Sequence, residues 1–546
     1  MRINVKDAIA DILKLEGIEY VFGYTGGHIM QMWEAANNAG IKLILNKQEG
    51  NAVYMADAFS RITGKASVIL GTTGPGVTNM TTGLATAFLD SVPLIAIGGG
   101  VSTNAFGRNA VQDGSGRGRA TEQRIAMKSV CKKAMLAPTP EDVPNMVREA
   151  FREALSGRPG PVYIEIPFNF WDIEIEYNIV LPYQYKNVQP IVCNKEDCDE
   201  IQNKFFKSKH PLIIIGEGAI EKNCNIEIMK FIDAVGVPFS VSPIGKNCID
   251  EFHPLYLGVA RLEGKTQKVY EYIKNSDFIL FLGDRMQEWE VAWYSKTIFA
   301  KSKLAQVDPD WNEIGRVYPI HYSAVGSVSS FIKSIPNKTH KNSKSLLNEV
   351  KKLWTIYPIQ NILPDGKGIN PLNINTIVQK YAKSDATIIT DTGYAKSMAI
   401  IKYLTHLGQH FITADKNGPM GYAVPAALGA ALATRSQVIC FVGDGGFQMS
   451  LNELGTALNY NLQVIYIIEN NGSCASITDF HTSIYGHHVA AVFKNPNFIK
   501  LAQAYDIEGF EAKTTEEFEK SFIKALKSKT SVIIDAKLDQ SLMVWT

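Results

Sequence analysis

Cysteine is scarce in this 546-residue chain: there are seven, at positions 131, 193, 198, 224, 248, 440 and 474. They are scattered, odd in number and free of C-x-x-C pairing. That pattern excludes a disulfide framework and a paired-cysteine zinc site, and leaves reduced thiols. Net charge is nearly absent as well, with 55 basic side chains against 54 acidic ones. Such a balance gives no reason to expect nucleic acid or an anionic membrane as partner. No apolar run approaches the roughly 18 residues that span a bilayer. Residues 1–7 lack the apolar stretch of a signal peptide, so a cytoplasmic protein is expected. Short-period repeats, heptads and low-complexity tails are also missing.

What is present is an ordinary globular composition, 46% hydrophobic and 20% charged, in a chain too long for one core. Short apolar runs alternate with amphipathic stretches from end to end, the pattern of parallel α/β layers. Residues 66–71 read as a strand, 72–76 as a glycine turn, 77–89 as a helix and 93–97 as the next strand. Residues 211–215 before Gly216-Glu217-Gly218, and 438–442 before Gly443-Asp444-Gly445-Gly446, repeat the form. Polar stretches with proline, 172–195 and 336–371, read as linkers. The expectation is three doubly wound parallel-sheet domains, at 1–171, 190–338 and 370–546.

The most specific signal is Gly443-Asp444-Gly445 followed by Asn470-Asn471-Gly472, with Asp444 and Asn471 27 positions apart. Ser450 reads as the cap of a helix with Leu451, Leu454 and Leu458 on one face. Residues 464–468 read as the following strand. A right-handed crossover brings both strand ends to one sheet edge, making Asp444 and Asn471 neighbours in space. A hard cation such as Mg²⁺ takes carboxylate, amide and main-chain oxygens, and glycines let the backbone approach a diphosphate. The plainer alternative is a tight turn followed by an unrelated asparagine pair.

This segment resembles the diphosphate-binding motif of thiamine diphosphate (ThDP) enzymes. The whole chain resembles the acetolactate synthase group within that family, in the order pyrimidine-binding, central and diphosphate-binding domain. By that resemblance Asp444, Asn471 and the main-chain oxygen of Ser473 hold the metal. Gln48-Glu49-Gly50-Asn51-Ala52, Ala56-Asp57 and Arg61-Ile62-Thr63-Gly64 match the group's H-E-Q-G-A-x-x-x-A-D-x-x-x-R-x-T-G, with Gln48 in the histidine's place. Glu49 is thereby the carboxylate that activates the cofactor. Thr73-Gly74-Pro75-Gly76-Val77-Thr78-Asn79 matches S-G-P-G-A-T-N. Asn417-Gly418-Pro419-Met420-Gly421-Tyr422 matches the G-x-M-G-F stretch whose hydrophobic residue wedges between the cofactor's rings. The resemblance sets Gly26, Thr73, Pro75, Asn79, Gly418, Met420, Gly443, Gly445, Gly446, Cys474 and Ala475 against ThDP. It implies a homodimer or homotetramer with the site at the subunit interface, and FAD as a candidate ligand of the central domain.

The implied reaction is decarboxylation of a 2-oxo acid, pyruvate being the candidate, with transfer of the acyl-anion unit to a carbonyl acceptor. The adjacent histidines of pyruvate decarboxylases are missing from residues 1–170, where His28 stands alone. His487-His488 reads as a loop pair or as part of a lid. The acceptor end departs from the group. Its G-x-R-F-D-D-R is here Gly283-Asp284-Arg285-Met286-Gln287-Glu288-Trp289, so an indole replaces the arginine that clamps the second 2-oxo acid. Phe480 stands where the group has tryptophan, and residues 258–264 depart from G-M-x-G-M-H-G. Arg285 or Arg261 could restore a clamp. Gln112 or Gln123 corresponds to the group's loop glutamine, and the mobile-looking, arginine-containing stretch 114–119 lies beside them. Gln112, Arg285, Trp289, Ile477 and Phe480 form the candidate acceptor pocket, and an aldehyde or keto-sugar is the expected acceptor. The alternatives are acetolactate synthesis proper, a non-ligating 2-oxo acid or acyl-CoA decarboxylase, and a non-catalytic relative. Glu49, Asp444 and Asn471 together argue against the last.

Overall fold

Why the apolar runs are nearly continuous becomes clear in the computed structural model, described for all residues except 187–188, 221–223, 261–266, 357–361 and 543–546. Three six-stranded sheets follow one another along the chain, all strands within each being parallel. Strands such as Ser67–Gly71 and Phe278–Leu282 are buried on both faces, because helices cover each side of a parallel sheet.

The first sheet runs from Tyr20–Gly23 to Val162–Pro167, and the third from Thr387–Thr390 to Val532–Lys537. With strands numbered along the chain within each sheet, both have the spatial order 2-1-3-4-6-5. The central sheet, from Pro211–Ile215 to Tyr322–Val325, has the order 3-2-1-4-5-6. In such open sheets ligands bind beyond the strand C-termini, where the order reverses. For the first and third sheets that point lies between strands 1 and 3. For the central sheet it lies between strands 1 and 4.

Helix Glu49–Thr63 starts where the Gln48 side chain accepts the Asn51 N–H at 2.9 Å, and it ends at Gly64 in the left-handed region, φ 69°. It packs on helix Ala423–Ala433 so closely that a Cβ on Gly429 would lie 1.9 Å from the Met55 carbonyl oxygen. The Arg61 guanidinium, 2.7 Å from Asp57 and 2.9 Å from Asp90, reaches across to the third unit by donating to the Thr413 carbonyl at 3.5 Å. Between the central and third sheets, buried Lys246 pairs with Glu251 at 2.5 Å, and Glu251 accepts the Thr405 N–H at 2.7 Å. No helix among the described residues is long and apolar enough to cross a membrane.

Three local expectations are corrected. The stretch 336–371 contains helix Ser343–Ile356, whose Leu346 and Val350 are one turn apart and buried; abundant Lys, Asn and Ser on the other faces masked that period. The stretch 172–195 contains strand Glu174–Glu176, which pairs antiparallel with Arg2–Asn4. Ser450 ends the helix Asp444–Ser450, which starts directly after the strand, and it stands at the N-cap position of the 3-10 turn Leu451–Glu453 without a side-chain capping bond. The Ser450 hydroxyl instead donates to the Gly421 carbonyl at 2.7 Å. A 3-10 turn follows, so Leu454 is buried while Leu458 is 47% exposed, and the leucines do not share one face.

Candidate cofactor site

Two half-sites arise from the same topology. In the first sheet the reversal point carries the turn after Tyr20–Gly23 and the turn after Ser67–Gly71. A Cβ on Gly26 would meet Thr72 Cβ at 2.4 Å, so only glycine lets the two turns touch. Gly74 is left-handed, φ 67°, and Pro75 begins a one-turn helix, Pro75–Thr78. Asn79 caps that turn and donates Nδ2–H to Glu49 Oε2 at 3.0 Å. Glu49 is 9% exposed, and its Oε1 lies against Gly76, where a Cβ would stand 3.3 Å away. The Gln48 amide caps the helix that begins with Glu49.

Buried Gln123 organises this turn. Its Oε1 accepts the Gly74 N–H at 2.9 Å and the Thr73 hydroxyl at 3.2 Å, and its Nε2 donates to the Gly99 carbonyl at 3.0 Å. Gln112 is exposed, sits at φ 60°, and reaches Thr73 only through its main-chain oxygen, at 3.1 Å. The two glutamines therefore differ in kind: the Gln123 side chain is tied into the scaffold and Gln112 is exposed.

In the third sheet the strand Val438–Gly443 pairs with Ile465–Asn470, Gly443 opposite Glu469. The structure brings Asp444 and Asn471 together as the crossover argument requires. Asp444 Oδ2 accepts the N–H groups of Asn471 at 3.0 Å and Gly472 at 2.6 Å, and Oδ1 that of Gly445 at 2.8 Å. Burial still holds its carboxyl above the usual carboxylate range. Asn471 Oδ1 accepts from the Ser473 N–H at 2.9 Å. Cys474 donates its N–H to Ala491 at 2.8 Å, and Ala475 opens helix Ala475–Tyr485. A Cβ on Gly446 would lie 1.9 Å from Asp391 Oδ2, so glycine here permits contact with the residue that follows strand 1 of the sheet. Asp391 also accepts the Gly421 and Tyr422 N–H groups, at 2.9 and 3.1 Å, which fixes the turn after left-handed Gly418, φ 57°. Met420 Cε lies 3.3 Å from the position of a Cβ on Gly445.

Three residues here carry no signal in the sequence. Asn495 donates to Asp444 Oδ2 at 2.7 Å and Asn470 Oδ1 at 2.9 Å, and accepts from Gln448 Nε2 at 2.9 Å. Phe493 lies beside Gly445, 3.2 Å from the position of its absent Cβ. Glu469 is fully buried, with neither carboxyl oxygen hydrogen-bonded. Burial and then Asp444 push it up to about 8, so it is mostly protonated at neutral pH. Among the described residues no group of three or more His, Cys, Asp or Glu side chains is placed to hold a metal. A metal here would depend on amide and main-chain oxygens as well as Asp444.

The acceptor end is less open than the sequence suggests. Arg285 is 4% exposed and engaged: Nη1 donates to Ser91 Oγ at 2.7 Å and lies 3.4 Å from Glu217, and Nε lies 3.5 Å from Asp308. Arg261 lies outside the described residues. Trp289 packs edge-on against Trp293, ring centroids 4.1 Å apart. Ile477 and Phe480 are exposed on helix Ala475–Tyr485. His487 and His488 sit on an exposed loop.

Residues 3–117, 199–335 and 391–536 match the N-terminal TPP binding domain, central domain and C-terminal TPP binding domain of thiamine pyrophosphate enzymes. The acetolactate synthase of Arthrospira platensis is 31% identical over 98% of this chain and 94% of its own. The acetolactate synthase large subunit of Haemophilus influenzae is 29% identical over 100% of this chain and 96% of its own. That of Porphyra purpurea is 30% identical over 98% and 92%. Two reversal-point turns lie on an α/β framework of three parallel sheets, and the chain belongs to the thiamine pyrophosphate enzyme family, in its acetolactate synthase-like group. It is a ThDP-dependent enzyme of the carboligase/lyase kind.

Proposed function

We propose that this enzyme decarboxylates a 2-oxo acid, pyruvate in the first instance, and adds the resulting C2 unit to an aldehyde or keto-sugar. The relatives named acetolactate synthase support the pyruvate half of this reading. The acceptor half rests on one observation: the Arg285 guanidinium is engaged by Ser91, Glu217 and Asp308. A buried guanidinium held by two carboxylates is a poor clamp for a third. The Trp289–Trp293 pair instead offers an apolar ring surface to a carbonyl compound without a carboxylate.

Mg²⁺ fits the donor set. Asp444 Oδ1 accepts a single N–H among its described contacts, and Asn471 Oδ1 and the Ser473 main-chain oxygen complete an all-oxygen group of the kind Mg²⁺ prefers. The glycine turn at 443–446 leaves backbone close to where a diphosphate would lie. Thr73, Pro75, Asn79 and Gly26 form the opposing half, and Met420 over Gly445 supplies an apolar wedge. ThDP, when bound, supplies an electron sink for the carbon–carbon bond broken in decarboxylation. Glu49 is assigned the proton exchange with the pyrimidine half. Asn79 donates to Oε2, so Oε1 is the oxygen assigned to that exchange. The domain limits 1–171, 190–338 and 370–546 belong to the same proposal.

The site is assigned to a homodimer or larger homo-oligomer. Ile477, Phe480, Ile484, Tyr485, Val489 and Val492, next to the metal loop, are all at least 48% exposed. An apolar face of that extent at a site calls for a covering partner. Product analysis with pyruvate alone and with added carbonyl acceptors tests the reading; efficient acetolactate formation from pyruvate alone overturns the acceptor half. Acetolactate synthesis is the second reading, favoured by the names of the relatives.

A further inference from the structure

The central sheet has the strand order of dinucleotide-binding domains, and its reversal point lies between Pro211–Ile215 and Phe278–Leu282. FAD is the group that family resemblance sets there. The residues present do not fit it. The turns Gly216-Glu217-Gly218 and Gly283-Asp284-Arg285 lie directly on one another. A Cβ on Gly216 would be 2.4 Å from Asp284 Cα, and one on Gly283 would be 2.4 Å from the Ala219 nitrogen. Their main-chain donors are engaged within the sheet: Gly216 N–H with Leu282 at 3.0 Å and Gly218 N–H with Gly283 at 2.8 Å. The glycines here allow backbone to meet backbone and leave no cradle for a diphosphate.

Charge argues the same way. Glu217, Asp284, Glu290 and Asp308 are buried around the turns, against the cations Arg285 and Lys416. Nearby, Arg158 pairs with Glu313 at 2.8 Å and Lys396 with Asp415 at 3.2 Å, which leaves no free cation in that set. Burial, then Glu217, pushes Asp284 up to about 7, and burial pushes Asp308 up to about 6. Burial also opposes ionisation of Glu217, yet Lys416 and Arg285 outweigh it and hold that carboxyl down at about 2. A diphosphate would add negative charge where, among the described residues, the cations Arg285 and Lys416 are already paired with carboxylates.

The same network reaches the cofactor site. Lys416, bound to Glu217, immediately precedes residues 417–420, the loop that carries Met420. Its main-chain N–H also donates to Asp90 at 3.3 Å, and Ser91 receives both Arg285 and Arg158. All three sheets' domains therefore meet at one buried ionic knot.

We propose that the central reversal-point crevice binds no flavin or other nucleotide diphosphate, and that its Glu217–Lys416 pair is a latch that positions the Met420 loop. The positioning half rests on the reading of Met420 as the cofactor wedge; the nucleotide half is independent of it. Two experiments test the proposal. In the first, purified holoenzyme is examined for a flavin absorption band and titrated with FAD and with ADP by calorimetry. A colourless protein with no saturable heat is expected; a co-purifying flavin or saturable micromolar binding overturns the proposal. In the second, ThDP affinity is measured by calorimetry for Lys416→Met and Lys416→Arg. Lys416→Met should weaken ThDP about tenfold, as expected when a buried ion pair loses one partner, and Lys416→Arg should stay within about twofold. Unchanged affinity in Lys416→Met overturns the latch. Should Lys416→Met fail to fold, Glu217→Gln keeps the shape without the charge, and the same outcomes decide. Failure of the wild type to bind ThDP at all would count against the proposed function, a result distinct from either arm.

Discussion

Asn495 provides the sharpest quantitative consequence of this geometry. Its Nδ2 holds Asp444 Oδ2 at 2.7 Å and Asn470 Oδ1 at 2.9 Å, while its own oxygen receives Gln448. Asn495→Ala removes all three contacts. The residue is half-buried, so water can replace the two neutral bonds at little net cost. The charge-assisted bond to Asp444 is different, being worth about 1.5–3 kcal/mol. Asp444 keeps its three main-chain donors, so the fold should survive and the loss should fall on carboxylate orientation. Taking about 2 kcal/mol, ThDP affinity at saturating Mg²⁺ should drop roughly 30-fold, within the range typical of groups that orient metal ligands. Calorimetric titration of ThDP, with circular dichroism to establish folding, measures it. A folded Asn495→Ala protein whose ThDP affinity changes less than about threefold would refute the argument.

Other consequences follow from the same contacts. Glu49→Gln keeps the Asn79 contact but cannot take up a proton; turnover should fall by about 10²–10⁴ while ThDP affinity, measured by calorimetry, stays within a few fold. Gly446→Ala places a Cβ 1.9 Å from Asp391 Oδ2; overpacking of this kind should cost about 1–3 kcal/mol and lower the thermal midpoint. Glu165, 2% exposed, is raised from 4.5 to about 7, chiefly by burial. Its folded form holds the proton more tightly than the unfolded chain, so stability falls as pH rises through that window. The loss is about 3 kcal/mol, and denaturation curves from pH 4 to 8 should show it shrink in Glu165→Gln.

What was legible at the candidate cofactor site is local. Asp444 and Asn471 end neighbouring strands of a single strand–helix–strand unit, and Glu49 through Gly64 is one helix with its cap and stop. Asn495 was not legible: it comes from a loop with no period, and only the folded chain brings it to Asp444. Arg285 was visible as a residue, but its engagement was not, since Ser91, Glu217 and Asp308 come from separate parts of the chain. The central glycine turn Gly216-Glu217-Gly218 was visible as a turn after a strand, whereas the close contact with Gly283 that requires glycine is a property of the sheet. Helix Ser343–Ile356 was hidden by its polar faces, which left the buried Leu346 and Val350 to be read as isolated.

The central claim is a pyruvate-derived C2 unit delivered to an acceptor without a carboxylate. Mass spectrometry of products from pyruvate, ThDP and Mg²⁺, with and without a panel of aldehydes and keto-sugars, tests it most directly. The account predicts CO₂ release coupled to an adduct of acceptor plus C2H4O, with acetolactate a minor product. Acetolactate as the main product whatever acceptor is offered, or no CO₂ release with any of them, would contradict it.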